Sequence, residues 1–153
     1  MALWGVSDSD ESKPKYLTTA DAKNCIAKPE GWVLKKTVGS RNLEEILVAT
    51  GADLAGGIGQ ADIVEIDWIT TAFDKSEGGT LSAKVFFNEN VTVAGTPQLS
   101  VTNGNQGSGS GRGPHVLSYA SGTGTNELVF SLTIAAANAA TSAGDVLSIG
   151  TNA

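Results

Sequence analysis

The chain has 153 residues, enough for one domain with a tail or for two very small domains. Aromatic residues make up 6% and there are 19 glycines, which excludes a large aromatic core and implies a small aliphatic one cut by many turns. Ten Lys and Arg stand among sixteen acidic residues, a net charge of −6, so the basic stripe that nucleic acid or an anionic membrane surface requires is missing, and neither is expected as a partner.

Residues 1–40 show little periodicity but carry two tryptophans, Trp4 and Trp32. The polar run Ser7-Asp8-Ser9-Asp10-Glu11-Ser12-Lys13-Pro14-Lys15 cannot bury enough apolar surface to fold alone. Trp4, Tyr16, Leu17 and Trp32 punctuate this segment at wide intervals, as anchors of an arm docked on another surface would. An extended arm is therefore expected over 1–59. Within it, Asn42, Glu45 and Gly51 sit where caps would, and Leu43, Ile46 and Leu47 share a helical face. A short helix over 43–50 is expected on that spacing, with a short buried strand over 46–49 as the alternative. Gly56-Gly57-Ile58-Gly59 reads as a linker.

From residue 60 to 153 the pattern is β. Val64, Ile66, Trp68 and Thr70 alternate with Ile63, Glu65, Asp67 and Ile69. Over 80–102 Leu81, Ala83, Val85 and Phe87 form one face of a strand. Val91, Val93, Leu99 and Val101 continue the pattern after turns expected at Asn88-Glu89-Asn90 and Gly95-Thr96-Pro97. Residues 103–114 are a glycine-rich loop without the Gly-Lys-Ser/Thr ending of a phosphate cradle. Leu117 and Tyr119 lead into a turn at 121–126, and Leu128, Phe130, Leu132 and Ile134 return as the cleanest alternation in the chain. A last short strand is expected over 145–149, with Leu147 and Ile149 inward. Short strands between Gly, Asn and Thr turns predict a mainly β fold, an antiparallel β-sandwich with Greek-key connections.

Chemistry-bearing patterns are sparse. His115 is the single histidine, with no acid or nucleophile beside it in sequence, and Cys25 is the single cysteine, which excludes an internal disulfide. Asp8, Asp10 and Ser12 imitate the start of a calcium loop, but Lys13 holds the glycine place and Thr19 that of the bidentate glutamate. Asn88, Glu89 and Asn90 offer one carboxylate to a cation. No catalytic, metal or cofactor site is expected, and the chain reads as non-enzymatic. The start, MALWGVSDSDES, has neither the basic opening nor the apolar run of a secretory signal, so synthesis and folding in a cytoplasm are expected.

Two motifs carry a family resemblance. Phe86-Phe87-Asn88-Glu89-Asn90-Val91-Thr92-Val93-Ala94-Gly95-Thr96-Pro97-Gln98-Leu99 and Tyr119-Ala120-Ser121-Gly122-Thr123-Gly124-Thr125-Asn126-Glu127-Leu128-Val129-Phe130 resemble the strand end and the hairpin of a bacterial immunoglobulin-like repeat. The resemblance implies an immunoglobulin-like antiparallel β-sandwich over 60–153. Leu3-Trp4-Gly5, residues 10–17 and Gly31-Trp32-Val33-Leu34 are similar to the opening of virion structural proteins of tailed phages of marine cyanobacteria, whose arm also precedes such a module. That resemblance implies a capsid decoration or cement protein, whose partners are the major capsid protein and neighbouring copies of itself. Its place would be the capsid surface of the virion. The alternatives are a neck, tail or fibre-attachment protein, or a receptor- or glycan-binding module. The last would want an aromatic platform on a loop, and the 103–114 loop has no aromatic residue. The repeat's final strand is missing after 149, so a sheet edge left bare there would need a strand from the arm or from a neighbour.

Overall fold

The structure is a computed structural model and describes residues 14–49, 61–104, 113–136 and 144–149. It is mainly β. Among the described residues one six-residue helix, α1 (Thr19–Asn24), precedes nine strands: β1 (Cys25–Lys28), β2 (Gly31–Val38), β3 (Arg41–Ala49), β4 (Ile63–Trp68), β5 (Gly79–Val91), β6 (Gln98–Asn103), β7 (His115–Ser121), β8 (Thr125–Ile134) and β9 (Leu147–Ile149). They form a single mixed sheet in the order β3-β2-β1-β5-β8-β7-β6-β9, with β4 paired to β5 off that path. The β1–β5 pair is parallel, at Ala27 opposite Glu89, whereas the β1–β2, β2–β3, β6–β7, β6–β9 and β7–β8 pairs are antiparallel. The chain divides into two compact units. The first comprises Met1–Glu65, Phe86–Thr92 and Thr123–Glu127, and the second Ile66–Val85, Val93–Gly122 and Leu128–Ala153.

In the first unit the sequence expectation is corrected. Residues 19–49 are not an extended arm; they fold into α1 and the β1–β2–β3 meander. Thr18 caps α1, its Oγ1 accepting from the Asp21 amide at 3.1 Å. Cys25, Ala27, Trp32 and Leu34 then form a buried cluster, against which Leu17, Leu47 and Val48 pack. Gly31 makes the β1-to-β2 turn possible: its φ is +138°, and a Cβ there would lie 2.0 Å from the Val48 carbonyl oxygen. Residues 43–49 are strand, not helix. Pairing with β2 sets Glu44 opposite Lys35 and Glu45 opposite Leu34, and this cross-strand register outweighs the weak helical spacing. The 51–59 part of the expected arm, including the glycine linker, lies outside the described residues.

In the second unit the alternation read for β6 and β8 holds, whereas Ile66, Asp67 and Trp68 of β4 are all half-buried without it. β6 buries every second residue, including Leu99 and Val101; Leu117, Leu128, Phe130 and Ile134 are also buried. Tyr119 meets Phe130 edge to face, with centroids 6.2 Å apart. β9 pairs with β6, Leu147 and Ile149 half-buried, as the sequence predicts.

β5 holds the second correction. No turn occurs at 88–90, because the strand runs on to Val91. Its buried positions change from Leu81, Ala83 and Val85 to Phe86 and Asn88, so Phe87 leaves the inward set. That change of phase falls between Val85 and Phe86, where the two units divide. Asn88 is wholly buried and accepts the Asp62 amide at 2.9 Å, which removes it from any exposed cation site.

Candidate protein-interaction surface

The residues expected to anchor an arm separate in the structure. Trp4 lies outside the described residues. Tyr16 is fully exposed, and Leu17 is half-buried against the first unit's core. Trp32 has no exposed surface at all, so its ring is a core element and is not free to grip a partner.

What the first unit does present is β3. This nine-residue strand ends the sheet, and no other described strand pairs with its outer edge. Residues 41–46 are exposed throughout. Leu43 keeps 49% of its surface and Ile46 53%, and Val38, diagonally across from Leu43 on β2, keeps 61%. These three residues were missed as site candidates. For Leu43 and Ile46 the signal was the alternative strand reading of 46–49, extended five residues toward the N-terminus; Val38 lies on β2.

Ion pairs frame the edge. Lys28 donates to Glu44, and Lys36 donates to Glu45 at 2.7 Å. The Lys28 hydrogen bond holds the Glu44 carboxyl below its ordinary range, and the Glu45 hydrogen bond holds Lys36 above its own. Exposed pairs of this kind are screened by solvent and stabilise little. Their larger consequence is that two edge carboxylates are neutralised, which lowers the electrostatic obstacle to another strand approaching β3. Behind them Lys35 is half-buried. Burial is the main cause that lowers its pKa, and Lys28 adds to it. Its Nζ donates to Asn126 Oδ1 at 2.9 Å, while Asn126 Nδ2 donates to the Lys23 carbonyl at 3.2 Å. Asn126 thus ties β2 to the start of β8 within this unit.

The other residues of chemical interest are placed apart. Cys25 belongs to the first unit's buried cluster. His115 opens β7 in the second unit, buried, with no described hydrogen-bond partner for its Nε2. Among the described residues no group of three His, Cys, Asp or Glu could hold a metal ion, and no helix is long and apolar enough to cross a membrane. Comparison with protein families, with curated proteins and with solved structures gives no match.

Proposed function

We propose that this chain is a non-enzymatic structural protein of a tailed-phage virion, decorating or cementing the capsid through contacts of its first unit with the major capsid protein. The observation that carries the reading is the nine-residue edge of β3, unpaired among the described residues, with Leu43 and Ile46 exposed and its carboxylates neutralised by lysines. An edge of that length is a template for an added strand, in which main-chain hydrogen bonds supply affinity and side chains supply register. Tyr16 adds an exposed aromatic ring in the same unit, and Trp4 belongs to the segment that the phage resemblance covers. Trp32 has no part in the contact.

The resemblance of residues 86–99 and 119–130 to the immunoglobulin-like repeat supports the finer reading of 60–153 as an immunoglobulin-like sandwich. The first motif spans the end of β5 and the start of β6, and the second spans the β7–β8 hairpin. On a shell, many identical weak contacts add by multivalency, so no single one need be tight. The acidic surface keeps the free protein soluble and away from packaged nucleic acid.

Copy number tests the proposal. Quantitative mass spectrometry of purified virions, with immunogold labelling of intact particles, is expected to find copies on the order of hundreds spread over the capsid. About six or twelve copies at one vertex would assign it to the neck or tail. Absence from particles would remove the virion role altogether.

A further inference from the structure

The second unit contains two adjoining hollows that share Ala72, Phe73, Leu81 and Leu147. The larger, about 680 Å³, carries the polar groups Asp74, Ser76, His115 and Asp145. The smaller, about 360 Å³, is lined by Trp68 with Thr70 and Thr71. Both volumes fall in the range of small-molecule sites. His115 is only 6% exposed, and its Nε2 has no partner among the described residues. That nitrogen is shut off from solvent, so the imidazole belongs to the wall of the larger hollow and reports on its contents without binding them.

We infer that these hollows form one carbohydrate-binding site, with Trp68 and Phe73 as the apolar platform and Asp74 and Ser76 as the hydroxyl-binding rim. The lining sets the class of ligand. Asp74 and Asp145 oppose an anion, Lys75 opposes a free cation, and the rings and aliphatic side chains oppose anything polar all round. A sugar is neutral, with an apolar C–H face and a rim of hydroxyls. The platform is built before any ligand arrives. Thr70 Oγ1 donates to the Thr80 carbonyl at 2.9 Å and accepts the Ser82 amide at 3.0 Å, which fixes the segment between Trp68 and Phe73. The Asp74 carboxylate accepts the Ser76 amide at 2.7 Å, and its carbonyl accepts the Gly78 amide at 2.9 Å, closing the turn that carries the rim. The inference is independent of the capsid role, since it concerns the second unit alone.

The single histidine makes the test direct, because the only imidazole Cε1–H resonance in the NMR spectrum of the full chain is that of His115. Maltose, cellobiose, lactose and chitobiose are titrated separately, with glycerol, phosphate and putrescine as controls. At least one disaccharide is expected to shift that resonance saturably while the controls leave it unmoved. Trp68→Ala is expected to weaken the binding about tenfold, the loss of one stacking contact. Ser76→Ala, on an exposed turn that should fold unchanged, is expected to weaken it by a smaller factor. No shift with any sugar, an equal shift with a control, or unchanged affinity in both variants overturns the site.

Discussion

The first unit buries a block and the second buries a face. On β2 the four consecutive residues Gly31, Trp32, Val33 and Leu34 are all buried, so both faces of the strand are covered there and no alternation survives. On β6 burial alternates strictly along Leu99, Val101 and Asn103, the mark of a strand with one wet side. The first unit also buries polar machinery, the Lys35–Asn126–Lys23 chain of hydrogen bonds. The segment that looks least like a folded domain in sequence holds the largest fully buried side chain among the described residues, Trp32.

Substitutions of the two cores should separate the units most strongly. Trp32→Ala is expected to cost about 3–5 kcal/mol, and Leu117→Ala about 2–5 kcal/mol. Urea denaturation with hydrogen–deuterium exchange would check both. Trp32→Ala should first lose protection over Cys25–Lys28 and Gly31–Val38, and Leu117→Ala over Gln98–Asn103 and His115–Ser121. Loss of less than about 1 kcal/mol in Trp32→Ala would return Trp32 to the role of a surface anchor. Gly31→Ala comes next. The φ of +138° alone costs roughly 1–3 kcal/mol for a residue with a side chain, and the close approach of the Val48 carbonyl adds to it. The same change at Gly39, where φ is +63° and nothing lies within 4 Å, should cost less, because only the conformation opposes it.

Legibility followed the same division. β6, the β7–β8 hairpin and β9 were readable because each turns one apolar face to a core. β3 was not, because Leu43, Ile46 and Leu47 fit a helix as well as a strand, and only the partner strand β2 decides between them. Trp32 was misplaced because a tryptophan among charged residues resembles an anchor; the apolar run Trp32-Val33-Leu34 was the overlooked sign of a strand buried on both faces. The Trp68–His115 hollows need residues from five separate segments, and no local pattern brings those together.

Asn126 offers a smaller effect with a pH signature. Asn126→Ala removes the acceptor for Lys35 and the donor for the Lys23 carbonyl, and is expected to cost about 1–3 kcal/mol. Lys35→Met probes the same place through its proton. Burial lowers the Lys35 pKa in the folded protein, so between that value and 10.5 the unfolded chain binds more protons than the folded one. Stability therefore rises with pH across that window, as the buried charge is relieved. The gap between wild type and Lys35→Met should move in favour of wild type as pH climbs toward 10.5 in matched denaturation curves. A gap that moves the other way would mean that Lys35 gains its partners' support and pays no desolvation penalty.

The finest contrast lies between two lowered carboxylates. Glu44 in the first unit is held low chiefly by the Lys28 ammonium, and Asp74 in the second chiefly by the Ser76 backbone amide. Both folded-state values lie below the unfolded ones, so each contributes stability that is present above its unfolded pKa and is lost as pH falls through the folded value. Salt should tell them apart. At about 1 M salt the screening length is roughly 3 Å, which weakens an exposed ion pair and leaves a hydrogen bond to a fixed amide largely intact. Glu44→Gln should therefore flatten the acid limb at low salt and change it little at high salt, whereas Asp74→Asn should flatten it at both. If both lose their effect in salt, the Asp74 turn is held by charge, and the rim of the hollow beside it is less firmly built than its short hydrogen bonds imply.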